Sequence, residues 1–208
     1  MFDITQILIT VFIVAVPLFA GIILHEVSHG YAAFRFGDPT ARNAGRLSLN
    51  PVRHVDPLGT LILPALLLLM KSPFLFGWAK PVPINPAYFE DPRKGIFWVS
   101  LAGPAANFAL ATAFYMSFLV LKPSLDSLTG VFIWYGVFIN LVLGVLNLLP
   151  IPPLDGSKIL ATFLPGRLAG QYMQLEKYGF IILILLILMG ALGWIFGHVR
   201  YFTLYLFS

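Results

Sequence analysis

Leu18-Phe19-Ala20-Gly21-Ile22-Ile23-Leu24-His25-Glu26-Val27-Ser28-His29-Gly30-Tyr31-Ala32-Ala33-Phe34 decides how this chain is read. The stretch lies inside an apolar run from about Ile4 to Phe36, and roughly 20 such residues suffice to cross a bilayer. Histidines four apart share one face of a helix, so His25 and His29 can both reach one metal ion. Glu26, beside the first histidine, is placed to act as general base toward a water at that metal. Ionisable side chains are costly among lipids and mark function there. The pattern points to metal-dependent hydrolysis within or just under a membrane.

Composition agrees. The chain has 208 residues, enough for a single membrane-embedded domain (1–208), and is 59% hydrophobic and only 11% charged, against about 25% charged in ordinary soluble proteins. Cysteine is absent, which excludes disulfides and thiolate metal sites. A metal must therefore take histidine and carboxylate ligands, a set that suits a catalytic zinc with one open position. The first segment has no basic start and reads as a retained helix, not a cleaved signal peptide. The net charge of +4 calls for no nucleic-acid partner; in a membrane protein it reports orientation.

The expected fold is an all-α integral membrane protein. Spans are expected at about 4–36, 95–121, 131–149 and 178–197. The run at 58–76 is apolar but short, and Pro64 and Pro73 interrupt it. Charge decides its topology. If it does not cross, Arg35, Arg42, Arg46, Arg53, Lys71, Lys80, Arg93, Lys94, Lys158, Arg167 and Lys177 share one side. Only Lys122 and Arg200 of the 13 basic residues fall on the other. Basic loops mark the cytoplasmic side. If the run crosses, that asymmetry largely disappears. It is therefore expected to be a re-entrant hairpin or half-helix, with short extended segments near the cytoplasmic face. Non-helical backbone at that depth must be covered by protein or water. Both termini are then extracytoplasmic in a multi-pass cell-membrane protein. The ends of the first and fourth apolar runs that carry His29 and lead to Asp155 meet on the cytoplasmic side.

Hydrolytic zinc takes three protein ligands plus water. Asp155, in Asn147-Leu-Leu-Pro-Ile-Pro-Pro-Leu-Asp155-Gly156, is the best third candidate, against a competing reading as a cap or Asp-Gly turn. Asn147 reads either as an oxyanion donor or as a bond to a neighbouring helix. His54 and Asp56 read as loop residues, or as a second metal or gating element. Gly103-Pro104-Ala105-Ala106-Asn107 reads as a small-residue face for close helix packing, with Asn107 hydrogen-bonding across it.

These motifs together resemble the site-2 proteases, the intramembrane zinc metalloproteases of the M50 class. The resemblance rests on His25-Glu26-Val-Ser-His29-Gly30 and on Asn147, Pro150, Pro152 or Pro153, Asp155 and Gly156. It also draws on the Gly-Pro-x-x-Asn piece at 103–107 and on Gly77-Trp78-Ala79-Lys80-Pro81-Val82-Pro83, similar to the small bacterial members. It implies one zinc ion held by His25, His29 and Asp155, with Glu26 as base and Asn147 facing the substrate or its oxyanion. It implies transmembrane protein substrates, cut near the cytoplasmic side of the bilayer. An extended substrate is expected to pair with a strand edge near the site, and the Gly77–Pro83 loop, with Gly77 and Trp78, is the candidate edge. The chain departs from larger relatives in lacking room for PDZ or CBS domains, so regulation through such modules is not expected. The rival readings are a membrane metal transporter, a metal-binding protein without activity, and a different membrane zinc peptidase. A transporter is expected to show repeats or ligands spread along a path. A different peptidase would need Glu90 or Glu176 as third ligand.

Overall fold

The run that carries the histidines folds as one helix, α1 (Ile4–Arg35), in a computed structural model that describes residues 4–62, 66, 69–70 and 79–208. At 1.5 Å per residue it extends about 48 Å, beyond the roughly 30 Å of a hydrocarbon core. Pro17 lies within it, which packed membrane helices tolerate. The chain leaves α1 through Gly37, whose φ of 97° is open to glycine but strained for other residues. A short helix, α2 (Thr40–Asn43), follows.

Two more long helices, α3 (Pro92–Leu121) and α4 (Leu128–Asn147), complete the bundle. Asp91 caps α3 by accepting from the Arg93 and Lys94 amides, and Pro92 presets the first helical turn. Ser127 caps α4 through the Gly130 amide at 3.1 Å. Small residues on one helix receive rings from the next: a Cβ at Gly136 would lie 2.6 Å from the Phe114 ring, and one at Gly144 would lie 2.9 Å from that of Phe108. Such contacts let membrane helices approach closely. α1 packs against both.

Among the described residues, α1, α3 and α4 are long and apolar enough to cross a membrane. The apolar run expected as a fourth span at 178–197 is interrupted. That run is α7 (Gly179–Leu188) and α8 (Ala191–Leu206), separated at Gly190 with φ 74°. Ten residues of helix rise about 15 Å, half of what a span needs. Together with α6 (Gly166–Met173) and the following 3-10 turn, α7 forms at most one broken span, bent by 72°. Apolar composition runs unbroken across the break, so hydropathy alone does not reveal it. Most of the re-entrant run at 58–76, and both Gly77 and Trp78, lie outside the described residues; Pro57–Ile62 is a π-helical turn capped by Asp56, which accepts from the Leu58 and Gly59 amides. No β-strand occurs among the described residues, so the extended segments expected near the site are irregular backbone at 79–85.

The ends of the bundle are distinct. Phe12 stacks on Phe132 at 5.8 Å, and Phe207 packs against Phe118 at 4.4 Å. Both contacts lie by the α3–α4 turn. His29 and Asn147 lie at the other end, where α5 (Asp155–Phe163) packs on α3.

Asp38 joins that end together. It is fully buried; its Oδ1 accepts from the Thr40 amide and hydroxyl, and its Oδ2 from the Asn85 amide at 2.6 Å. Burial alone would raise its carboxyl, but the Thr40 hydroxyl and the Asn85 and Thr40 amides outweigh it and hold the group below its ordinary value. A carboxyl lowered by folding stabilises above its unfolded value of about 3.9, and that contribution fades as pH falls through the folded value. Asp38→Asn is therefore expected to melt earlier than wild type at pH 7, by about 1–3 kcal/mol for an unpaired buried donor. The gap should narrow below about pH 4. Thermal unfolding of both proteins in detergent between pH 3 and 7 checks this; a gap independent of pH would contradict it.

Candidate metal centre

Three ligand atoms converge where α1, α3 and α5 meet. His25 Nε2 and His29 Nε2 lie 2.9 Å apart, and Asp155 Oδ2 is 3.0 Å from the first and 3.2 Å from the second. All three side chains are buried. The four-residue spacing on α1 aligns the histidines, as the helical period requires. Asp155 arrives at the first turn of α5, after the proline-rich turn that leaves α4. Gly156 permits this approach, since a Cβ there would lie 2.2 Å from the Leu148 carbonyl oxygen and 2.5 Å from that of Leu149. The Asp-Gly pair therefore serves close packing inside a helix and is not a turn.

The chemistry of the donor set fits a metal cation. His29 Nδ1 lies 2.6 Å from Val99 O, a carbonyl that can only accept, so Nδ1 carries the proton. His25 Nδ1 likewise meets Asn107 Oδ1 at 2.7 Å. A neutral imidazole that donates from Nδ1 has a bare lone pair on Nε2. Asp155 Oδ2 is buried without a hydrogen-bond donor. Two lone pairs and a carboxylate oxygen at these distances repel one another unless a cation lies among them. The facing backbone leaves room for one: a Cβ at Gly103 would lie 2.5 Å from His29 Nε2 and 2.6 Å from His25 Nε2. His25, His29 and Asp155 would hold the metal, a histidine and carboxylate set suited to zinc.

A cavity of about 430 Å³ opens beside these atoms, lined in part by Glu26, Ser100, Asn147 and Lys158. Its outer wall is the irregular stretch after residue 78. Val82 donates its amide to Glu26 Oε2 at 2.7 Å, which holds the carboxylate at the cavity wall. Gly30, one turn beyond Glu26, makes the approach possible, because a Cβ there would meet Val82 Cγ1 at 2.8 Å. Arg46 secures the stretch from outside: its buried guanidinium donates to Arg53 O and, at 2.6 Å, to Lys80 O.

The residues singled out in the sequence thus divide. His25, His29 and Asp155 form the cluster, and Glu26 and Asn147 line the same cavity. Asn147 Nδ2 donates to Leu143 O at 2.9 Å, which leaves one amide hydrogen for another acceptor. Asn107 contacts His25 directly. His54 stands apart from the cluster, buried in the loop where its Nε2 donates to Ser48 O at 2.7 Å. The amides of Lys80, Val82 and Asn85 are committed to His54 O, Glu26 and Asp38, and Pro81 and Pro83 have none. Within the described part of the candidate substrate-pairing edge, the Lys80 and Val82 amides are therefore engaged within the chain. Sequence reasoning missed Lys158, whose Nζ is 4.0 Å from Asp155 Oδ1; its signal was a position one turn after Asp155. It also missed the Val82 amide, which no side-chain pattern marks.

Residues 122–192 match the model of peptidase family M50. YwhC of Bacillus subtilis, named as a candidate zinc metalloprotease, is 39% identical over 82% of this chain and 78% of its own length. Rip2 of Mycolicibacterium smegmatis, named likewise, is 35% identical over 86% of this chain and 68% of its own. MJ0611 of Methanocaldococcus jannaschii, again so named, is 31% identical over 73% of this chain and 71% of its own. No solved structure matches the chain.

Proposed function

The chain belongs to peptidase family M50 and is a zinc metalloprotease, and we propose that it works within the membrane, hydrolysing peptide bonds of transmembrane or membrane-associated proteins near the cytoplasmic side. The observation that carries this reading is the convergence of two histidine nitrogens and an aspartate oxygen within 3.2 Å beside a cavity, at one end of three membrane-length helices. When bound, zinc would polarise the scissile carbonyl and lower the pKa of a water toward about 7.

Glu26 supplies the proton chemistry. One carboxylate oxygen is anchored on the Val82 amide, so the other is oriented to take a proton from the attacking water and return it to the departing amide nitrogen. The second amide hydrogen of Asn147 is available to the oxyanion that develops on the substrate carbonyl. A substrate helix hides its carbonyls in its own hydrogen bonds, so the cut segment must unwind before it enters the cavity.

The active protein requires its metal. Chelation is expected to abolish cleavage of a model transmembrane substrate by the purified chain, and one equivalent of zinc per chain to restore it. Undiminished cleavage after zinc is removed, measured by metal analysis, would refute the reading. The cytoplasmic placement of the site rests on charge, with 11 of 13 basic residues on its side of the predicted topology. The chain has no native cysteine, so Asn85→Cys, at an exposed position by the site, reports sidedness cleanly. It is expected to resist an impermeant thiol reagent added outside intact cells and to react in inverted vesicles. Labelling from outside would reverse the orientation.

A further inference from the structure

Two asparagines lie fully buried among the three long helices, Asn107 on α3 and Asn140 on α4. Polar side chains at such depth must be paired. Their hydrogen bonds run in one direction. Asn140 Nδ2 donates to Gly136 O at 2.9 Å. Asn140 Oδ1 accepts from Asn107 Nδ2 at 3.2 Å. Asn107 Nδ2 also donates to Gly21 O, on α1, at 3.1 Å. Asn107 Oδ1 is left facing His25 Nδ1 at 2.7 Å. Gly21 brings α1 close enough for this, since a Cβ there would lie 2.4 Å from Asn140 Oδ1.

The direction is forced by the two carbonyls at its start. An amide's oxygen and nitrogen are distinguished by their partners, and backbone carbonyls only accept. Turning Asn107 over would set its oxygen against Gly21 O and Asn140 Oδ1, two acceptor pairs in a buried site. It would also present an NH2 to His25, whose Nδ1 would then have to accept. The imidazole proton would move to Nε2, the atom that faces His29 and Asp155. Turning Asn140 over would set its oxygen against Gly136 O.

We infer that Asn107 and Asn140 are positioning residues that fix the tautomer of His25, so that its Nε2 offers a lone pair to the metal. The inference rests on the metal-site reading above and extends it to the carbonyls of Gly21 and Gly136. Partners of metal-bound histidines commonly fix the ring in this way, and their loss lowers metal affinity about 10–100-fold. What is particular here is a chain of two amides, the second of which never touches the histidine, setting the position of one proton.

The test measures zinc affinity of the full chain in detergent by chelator competition, together with the visible absorption of the cobalt-loaded protein. Asn107→Leu, close in shape but unable to accept, is expected to weaken zinc about 10–100-fold and alter the cobalt bands. Asn140→Leu should weaken zinc in the same direction although it does not contact His25. Asn107→Asp, which keeps an oxygen on Nδ1, should bind more tightly than Asn107→Leu. Val137→Ala, a cavity in the same buried region, should lower the melting temperature and leave zinc affinity unchanged. Wild-type affinity and an unchanged cobalt spectrum in both leucine variants would overturn the inference while leaving the metal site standing. If Asn107→Leu does not fold, Asn140→Leu decides by the same readouts. If wild type and His25→Ala hold zinc equally, the metal site itself falls, and this inference with it.

Discussion

Gly103→Ala is expected to abolish zinc binding and cleavage in a protein that still folds. The added methyl carbon would lie 2.5 Å from His29 Nε2 and 2.6 Å from both Nε2 and Cε1 of His25. Non-bonded carbons normally sit about 3.5–4.0 Å apart, so the contact cannot be absorbed without movement. A zinc ion would lie about 2.0–2.1 Å from each nitrogen. The methyl therefore competes for the space that the ion needs. Either the histidines turn away from Asp155, which breaks the ligand set, or α3 recedes from α1 and draws Val99 O and Asn107 Oδ1 away from the rings they hold. Helix propensity works in the opposite direction, because alanine is favoured over glycine within a helix by about 1 kcal/mol. Loss of function should therefore appear without loss of helix content. Zinc per chain, far-UV circular dichroism and substrate cleavage, measured on one preparation, separate these effects. One zinc retained, with cleavage above a tenth of wild type, would show that α3 yields and that Gly103 does not bound the site.

Gly103 also shows how far the sequence was legible. As part of Gly103-Pro104-Ala105-Ala106-Asn107 it reads as a packing face, and it is one. Nothing in that spacing says that the face opposite is a pair of imidazole edges. The histidine pair was legible because both members share one helix, where the period fixes their relation. Asp155 lies 126 residues beyond His29, and its approach was legible through the proline-rich motif that carries it and through charge, which put both ends on one side. Asn140 carried a visible signal, a polar side chain in the middle of an apolar run, but its partner lies on another helix. The Val82 amide on Glu26 carried none, since every residue except proline has an N–H and tertiary structure decides which one is used. The break at Gly190 stayed hidden for the opposite reason. Its signal, one glycine, is diluted by apolar neighbours on both sides that read as a continuous span.

Glu26→Gln should separate catalysis from metal binding, where Gly103→Ala removes both. Glutamine matches glutamate in shape, and its oxygen can still accept the Val82 amide that Glu26 Oε2 accepts at 2.7 Å. The side chain should therefore remain at the cavity wall. None of His25, His29 and Asp155 depends on Glu26 for its hydrogen bonds, so one zinc per chain should remain bound. What disappears is the capacity to take a proton from the attacking water. General base catalysis contributes about 10²–10⁴-fold, equivalent to about 3–5 kcal/mol of barrier, so single-turnover cleavage should slow by that factor. Glu26→Asp gives a second reading of the same geometry. It keeps a base but shortens the side chain by one methylene, so it cannot hold the Val82 amide and reach the water as Glu26 does. Its rate should fall between wild type and Glu26→Gln. Zinc lost from Glu26→Gln would move Glu26 into the ligand set. Cleavage by Glu26→Gln at the wild-type rate would remove it from the chemistry and require another residue of the cavity to carry the proton.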